Sequence, residues 1–205
     1  MNLKKIKIIA VIGIFALSFL FHFAYELFPN IIFSFIFPVN ESIWEHMKII
    51  FTSTLLYGII DYILLKKNNI KFNNFPFQLY FTALIGIPIY LVIYIPLYKL
   101  LGENMFISIS LLLLTYIITQ YISYLILQEK EYKLLNALTV PIIISIYIGF
   151  IYLTYNPPYN YFFYDKKEEK YGIDIYKKKN KWYKPRFLDK GNEVIYIQFI
   201  RNFQI

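Results

Sequence analysis

Residues 38–65 read PVNESIWEHMKIIFTSTLLYGIIDYILL. The first part of this stretch carries two carboxylates, an imidazole and an ammonium group, and the remainder is mostly apolar. An apolar run of about twenty residues is long enough to cross the ~30 Å hydrocarbon core of a bilayer. Ionisable side chains in such a segment are costly unless they are paired or functional. The stretch therefore predicts a membrane helix that begins at a candidate functional site.

The composition of the whole chain also favours a membrane protein. Of its 205 residues, 58% are hydrophobic and 21% are aromatic. The chain has no cysteine, which excludes disulfides, thiolate metal sites and cysteine nucleophiles, so a bound metal would need histidine and carboxylate ligands. Lysines that set membrane orientation and contact anionic lipid explain the net charge of +8. The lipid bilayer is thus the expected partner, and nucleic acid is not.

Five apolar segments predict an all-α, polytopic membrane fold. They comprise residues 6–28, 41–65, 77–97, 105–127 and 134–155. We expect the first segment to be retained, because it is too long for the apolar part of a signal peptide and no small-residue cleavage site follows it. Asn40 is the predicted N-cap of the second segment. Residues 31–37 are too few to cross and predict an interfacial or re-entrant connector.

The distribution of lysines predicts the orientation and the domain boundary. If all five segments cross, the lysine-rich short loops fall on one side, which is then cytoplasmic together with the N-terminus of this multi-pass cell-membrane protein. Residues 1–155 form the predicted transmembrane domain, and residues 156–205 a Lys-rich extramembrane tail. Residues 171–183 of the tail resemble a β-hairpin, and residues 193–200 alternate like a further strand. Two alternatives stand for this tail: an appendage on the membrane surface, or an ordered cap over the site.

Both histidines of the chain lie beside carboxylates. His22 is near the end of the first segment, and His46 is near the start of the second. His22 and Glu26 are four residues apart and would share one helix face, and a short connector brings this face towards Glu45 and His46. We predict these four residues as ligands of a divalent metal, because imidazole with carboxylate suits Zn, Mn or Fe. Glu41 is the predicted general base acting on metal-activated water.

Further polar residues complete the candidate site. They are Asn40, Ser42, Lys48, Asp61 and Asp165. With five spans, Asp165 emerges on the side of the cluster as an additional ligand or lid residue. Asp61 is expected to pair across helices or to accept hydroxyl groups such as those of Thr115 or Thr119. Three interpretations stay open: a metal site, a metal-free polar or proton-handling site, and purely structural pairing, in which first-turn carboxylates stabilise the positive end of a helix.

Several segments carry a resemblance to a known family. They read FHFAYE at 21–26, FPVNESIWEHMK at 37–48 and TYNPP at 154–158, followed by Phe163, Asp165, Tyr171 and Gly172. Over residues 1–173 the chain resembles a family of small uncharacterised bacterial membrane proteins, chiefly from Firmicutes, marked by a Pro-Val-Asn-Glu-Ser-x-Trp-Glu-His-x-Lys signature. The resemblance implies a polytopic membrane fold and brings no catalytic assignment.

Two classes of function follow from these patterns. The first is a membrane-embedded, metal-dependent hydrolase that acts on a lipid or another membrane-delivered substrate. The second is a non-enzymatic transporter, sensor or accessory subunit whose polar pocket binds a cation or a small polar ligand. Retention or loss of a bound metal in variants of the two histidines separates a metal site from the other readings.

Overall fold

The structure is a computed structural model that describes residues 1–102 and 104–173, and these contain eight helices and one two-stranded hairpin. The helices are α1 Leu3–His22, α2 Ala24–Leu27, α3 Ile31–Ile36, α4 Ile43–Lys67, α5 Phe75–Leu101, α6 Met105–Ile126, α7 Lys133–Ala137 and α8 Thr139–Tyr155. Strand β1 (Tyr164–Asp165) pairs antiparallel with β2 (Lys170–Tyr171). The predicted all-α fold class is confirmed. The β structure predicted at 171–183 and 193–200 falls almost entirely outside the described residues.

Two predicted segments are each divided into a long and a short helix. The segment 6–28 is interrupted at Phe23, which separates α1 from α2. The segment 134–155 is interrupted at Leu138, because Pro141 has no N–H to donate to Ala137 and its ring obstructs that carbonyl. Pro88 and Pro96, in contrast, are accommodated inside the continuous α5.

Three of the described helices, α4, α5 and α6, are long and apolar enough to cross a membrane, and α8 is a shorter apolar helix. The most apolar window of α4 is 61% buried, against 28% for α5 and 22% for α6. Helix α4 is therefore the central helix, and α5 and α6 present apolar side chains such as Val92 and Ile117 outward. Crossing by α1 and α8, and the orientation of the chain, remain predictions.

Helices α1 and α4 pack in opposite directions along their whole length. Contacts join Lys7 to Asp61 near one end and Ser18 to Ser53 further along. Between them Gly13 lies against the ring of Tyr57, which occupies the space that a Cβ atom at position 13 would need. Helix α1 also packs on α6, and α5 packs on both α4 and α6. The four helices thus form one bundle in which each packs mainly on two of the others.

Helices α3 and α8 and the segment after α8 meet at one end of this bundle. Helix α3 packs against α8, and the hydroxyl groups of Ser34 and Tyr155 are 2.9 Å apart. Residues 156–173, which we call the strap, follow α8 and include the β1–β2 hairpin. The strap lies in the same compact unit as the helices.

Candidate metal centre

The loop between α3 and α4 is shaped by its own polar side chains. Asn40 Oδ1 accepts a hydrogen bond from the N–H of Ser42 (2.9 Å), and Ser42 Oγ accepts from the N–H of Glu45 (3.3 Å). The N-cap of α4 is therefore Ser42 and not the predicted Asn40, because the serine oxygen is the one that reaches a free N–H of the first turn. This geometry fixes Glu41 directly before α4.

The backbone orients the ring of His46, one turn into α4. His46 Nδ1 lies 2.8 Å from the carbonyl oxygen of Ser42. A carbonyl oxygen only accepts hydrogen bonds, so Nδ1 carries the hydrogen and the opposite nitrogen, Nε2, faces the Glu41 carboxylate, 3.4 Å from Oε2. Metal-binding histidines are commonly held in this way, with one nitrogen donating to a carbonyl and the other directed at the ion. The ring of His46 is thus preset for a cation at Nε2.

His22 reaches the same carboxylate from the end of α1. Its Nε2 is 3.8 Å from Glu41 Oε1, and its ring centroid is 5.2 Å from that of His46. One ligand atom from each of the three residues lies within 4.8 Å of the others. Zinc bonds of about 2.0–2.1 Å in a tetrahedral site place ligand atoms about 3.4 Å apart. Small side-chain rotations would therefore close this trio, the His–Glu cluster, around an ion.

The His–Glu cluster is partly open to its surroundings. The side chains of His22, His46 and Glu41 are 27%, 34% and 37% exposed. A hydrogen bond with His46 lowers the pKa of Glu41 to about 2, partial burial opposes this shift, and the positive charges of His46, His22 and Lys167 favour it. The Glu41 carboxylate therefore stays ionised at physiological pH. Its environment is one that attracts positive charge, either as protons on the imidazoles or as a metal ion.

Glu45, a predicted ligand, lies in a different environment although it is next to His46. Its carboxylate forms a buried ion pair with Lys48 (2.8 Å), and the two side chains are 1% and 0% exposed. Its oxygens also accept hydrogen bonds from Thr154 Oγ1 (2.7 Å) and from the N–H of Val39 (3.0 Å). With both oxygens bound, Glu45 joins α4 to α8 and to the preceding loop, and the structure does not bring it into the His–Glu cluster.

Lys48, a predicted polar site residue, completes the same buried network. Its ammonium group donates to the carbonyl oxygen of Ser34 (2.9 Å) in addition to pairing with Glu45. Thr52, one turn further along α4, donates to the carbonyl of Ile36 (3.0 Å). These two bonds satisfy carbonyl groups at the C-terminal part of α3, where no further helical turn is available to receive them. Lys48 is thus a structural cation that docks α3 onto α4.

The strap holds the loop that carries Glu41. Asp165 is fully buried, and its Oδ2 accepts a hydrogen bond from the N–H of Glu41 (3.0 Å). Asn40 Nδ2 donates to the carbonyl of Gly172 (2.9 Å), and the N–H of Trp44 donates to the carbonyl of Phe162 (3.0 Å). The structure therefore places Asp165, a predicted ligand or lid residue, in contact with the backbone of the site.

Two other predicted residues are not members of the His–Glu cluster. Glu26 is an exposed residue of α2, and the helix break at Phe23 places it on a different helix from His22. Asp61 of α4 pairs with Lys7 of α1, which is the predicted pairing across helices and not the alternative of accepting hydroxyl groups. Those hydroxyls donate within their own helix, as threonines in helices commonly do.

Sequence reasoning assigned Glu41 as a general base and not as the carboxylate that both imidazoles face, and it did not recognise Lys7 as the partner of Asp61. The spacing of Glu41 and Glu45 alone does not tell which carboxylate turns towards the imidazoles. A signal was present in the capping pattern, because a glutamate three residues after an N-cap serine commonly folds back on the preceding backbone. Glu45 does so, and this leaves Glu41 as the free carboxylate.

Three described helices are long and apolar enough to cross a membrane, which is consistent with the class of helical membrane proteins. Within that class, the chain belongs to a family of unknown function, DUF6512, whose model matches residues 1–173. The match ends where the strap ends. No curated protein and no solved structure matches the chain.

Proposed function

We propose that the protein is a membrane-embedded metalloprotein in which His22, Glu41 and His46 bind one divalent ion. The observation that carries this proposal is the orientation of His46, whose Nδ1 is bound by a carbonyl while Nε2 faces Glu41. A lone pair of a neutral imidazole and a carboxylate oxygen repel each other unless a cation or a proton lies between them. The partial exposure of all three side chains supports entry of an ion.

The identity of the ion follows from the donor set. Two imidazoles and one carboxylate suit zinc, and they also suit Mn(II) or Fe(II). Three protein ligands leave a coordination position for water, which is the arrangement of catalytic rather than structural zinc sites. A bound ion of this kind would acidify that water and supply a nucleophile near neutral pH.

A hydrolase is therefore the activity that we propose for the site. Because Glu41 serves as a ligand in this proposal, the role of general base passes to Glu26, the exposed acidic residue of the adjoining helix α2. Phe23 packs edge-on against His22, with 4.6 Å between ring centroids, and Phe23 and Phe19 are 48% and 42% exposed. This apolar border favours a lipid or another membrane-delivered substrate over a soluble one.

A second function, non-enzymatic binding of a cation by a transporter, sensor or accessory subunit, would use the same three residues. It is favoured by the exposure of the cluster, which allows an ion to exchange. The two functions differ in what Glu26 does. A general base is required only for hydrolysis. A substitution of Glu26 would therefore abolish hydrolysis but leave cation binding intact.

The decisive experiment is elemental analysis of the detergent-purified full chain after incubation with Zn²⁺, Mn²⁺ or Fe²⁺ and removal of free metal. We expect near-stoichiometric metal in the wild type and in Glu26→Gln, and none in the His22→Ala, His46→Ala double variant. Glu26→Gln is the matched control because it changes an acidic residue at the same end of the bundle, outside the His–Glu cluster. Absence of metal from the folded wild type under all three conditions would refute the proposal.

Hydrolysis is then tested with liposomes that contain mixed phospholipids and acylated lipids. We expect product release from the metal-loaded wild type and loss of release in Glu26→Gln, which still holds its metal. Metal binding without product release from any lipid supports the non-enzymatic function.

A further inference from the structure

A second polar site lies at the opposite end of the α1–α4 contact, well away from the His–Glu cluster. Lys7 of α1 and Asp61 of α4 form an ion pair in which the two residues are only 4% and 3% exposed. Asp61 is fifteen residues beyond His46 on the same helix, which corresponds to about 22 Å at 1.5 Å per residue. Nothing in the proposed metal chemistry uses this pair.

The pair occupies only one of the two oxygens of Asp61. Oδ2 receives the ammonium group of Lys7, whereas the buried Oδ1 has no hydrogen-bond partner among the described residues. Charged groups at membrane depth are rarely left with an unsatisfied oxygen, because no bulk water is present to compensate it. The free oxygen therefore indicates a missing positive or hydrogen-donating partner.

Asp61 borders a small cavity that is lined by both polar and apolar side chains. The cavity has a volume of about 10 Å³, which is close to the space of one water-sized particle. Its polar lining residues are Asp61, Thr54, Tyr57, Gln78, Thr82 and Gln120. The cavity lies among α4, α5 and α6, next to the contact of α1 with α4.

The two threonine hydroxyl groups in this lining keep their oxygens available as acceptors. Thr54 donates its hydrogen to the carbonyl of Ile50 (2.9 Å), and Thr82 donates to the carbonyl of Gln78 (2.7 Å). Neutral oxygens grouped around one carboxylate are the ligands that hard cations such as Na⁺ prefer. A single carboxylate favours a monovalent ion, because sites for divalent ions usually supply more negative charge.

Lys7 can leave the pair without entering an apolar region. Its neighbours Lys4 and Lys5 are exposed, so the end of α1 lies within one turn of Lys7. Long lysine side chains reach polar surroundings from such positions by extending along the helix. Two positive charges beside one carboxylate repel each other, and an ion at Oδ1 would thus favour movement of the Lys7 ammonium away from Asp61.

We propose that Asp61 and the surrounding hydroxyl and amide oxygens form a binding site for a monovalent cation of the size of Na⁺, and that Lys7 competes with this ion as a tethered counter-ion. The site is independent of the His–Glu cluster. It gives the protein a second, alkali-cation specificity at the other end of its central helix.

The test is the thermal unfolding midpoint of the detergent-purified full chain in NaCl, KCl and choline chloride at equal ionic strength. We expect Na⁺ to raise the midpoint of the wild type relative to choline, and this rise to be absent in Asp61→Asn. In Lys7→Met, which removes the competing charge, we expect the Na⁺ affinity to increase about tenfold or more. Lys4→Met, an exposed lysine of the same helical turn, is the matched control and should behave as the wild type.

Three outcomes would overturn the proposal. The first is equal midpoints in Na⁺ and choline for both the wild type and Lys7→Met, which would mean that the cavity holds water only. The second is an Na⁺ effect that survives in Asp61→Asn. The third outcome applies if Lys7→Met does not fold. Sodium NMR is then measured on the wild type with and without competing Li⁺, and the absence of saturable line broadening would overturn the proposal. The Na⁺ effect should persist in the His22→Ala, His46→Ala double variant, which separates this site from the metal centre.

Discussion

Glu41 and Glu45 lie one helical turn apart and are engaged in opposite ways. Glu45 is 1% exposed, paired with Lys48 and saturated by two further hydrogen bonds. Glu41 is 37% exposed and faces two imidazoles that are not in bonding contact with each other. The comparison shows that a carboxylate with every lone pair bound serves the fold, whereas one with open positions is available to a ligand.

The largest expected effect is on the free energy of unfolding and comes from the buried pair of Glu45 and Lys48. Lys48→Met leaves the Glu45 carboxylate buried without its counter-charge, so we expect a loss of about 3–5 kcal/mol in the free energy of unfolding. Denaturant titration in detergent micelles measures this loss. The double variant Lys48→Met, Glu45→Gln should recover part of the stability, since it removes the unpaired charge. A loss below about 1 kcal/mol in Lys48→Met would show that the pair is not structural.

A substitution of the exposed Glu41 should change metal affinity and leave the free energy of unfolding almost unchanged. Glu41→Gln removes the anionic ligand, so we expect metal affinity to fall about 100-fold or more, since outer-shell changes alone cost 10–100-fold. The free energy of unfolding of the metal-free form should change by less than about 1 kcal/mol, as is typical of exposed ion pairs. Competition with a fluorescent zinc chelator measures the affinity. Unchanged affinity would contradict the assignment of Glu41 as a ligand.

A substitution in the strap should have a smaller effect on metal affinity, because the strap holds the backbone of Glu41. Asp165→Asn keeps the size of the side chain but weakens its hydrogen bond to the N–H of Glu41, so we expect metal affinity to fall about tenfold. The hydrogen bond from the side-chain amide of Asn40 to the carbonyl of Gly172 is retained in this variant, and the fold should persist. Measuring zinc affinity and unfolding together distinguishes positioning from collapse of the strap. A loss of affinity only in proportion to unfolding would argue against a positioning role.

The smallest expected effect is the pH dependence of the metal-free form. The pKa of Glu41 is lowered from 4.5 to about 2. A lowered folded-state pKa contributes stability that is complete above pH 4.5 and is lost as the pH falls through about 2. The difference in unfolding midpoint between the wild type and Glu41→Gln, both in chelator, should therefore shrink across this window. A difference that grows on acidification would contradict this sign.

Sequence patterns anticipated the helices better than the contacts between them. Apolar length located α4, α5 and α6 closely, because any segment of that length and composition must bury its backbone polar groups in helical hydrogen bonds. The breaks at Phe23 and Leu138 were not anticipated. Phe21 and Ala24 pack together against Phe37 on both sides of the first break, and such contacts between distant segments leave no local signature.

The candidate site shows the same division between local and long-range information. The sequence by itself determined that both histidines lie near one end of the bundle, because helix length and the short connector fix that proximity. The capping pattern only hinted at which carboxylate faces them, and the tertiary structure decided it, because Thr154 binds Glu45 while Asp165 holds the backbone of Glu41. Periodicity reports which face of a helix a side chain occupies, but the partner on that face depends on residues more than a hundred positions away along the chain.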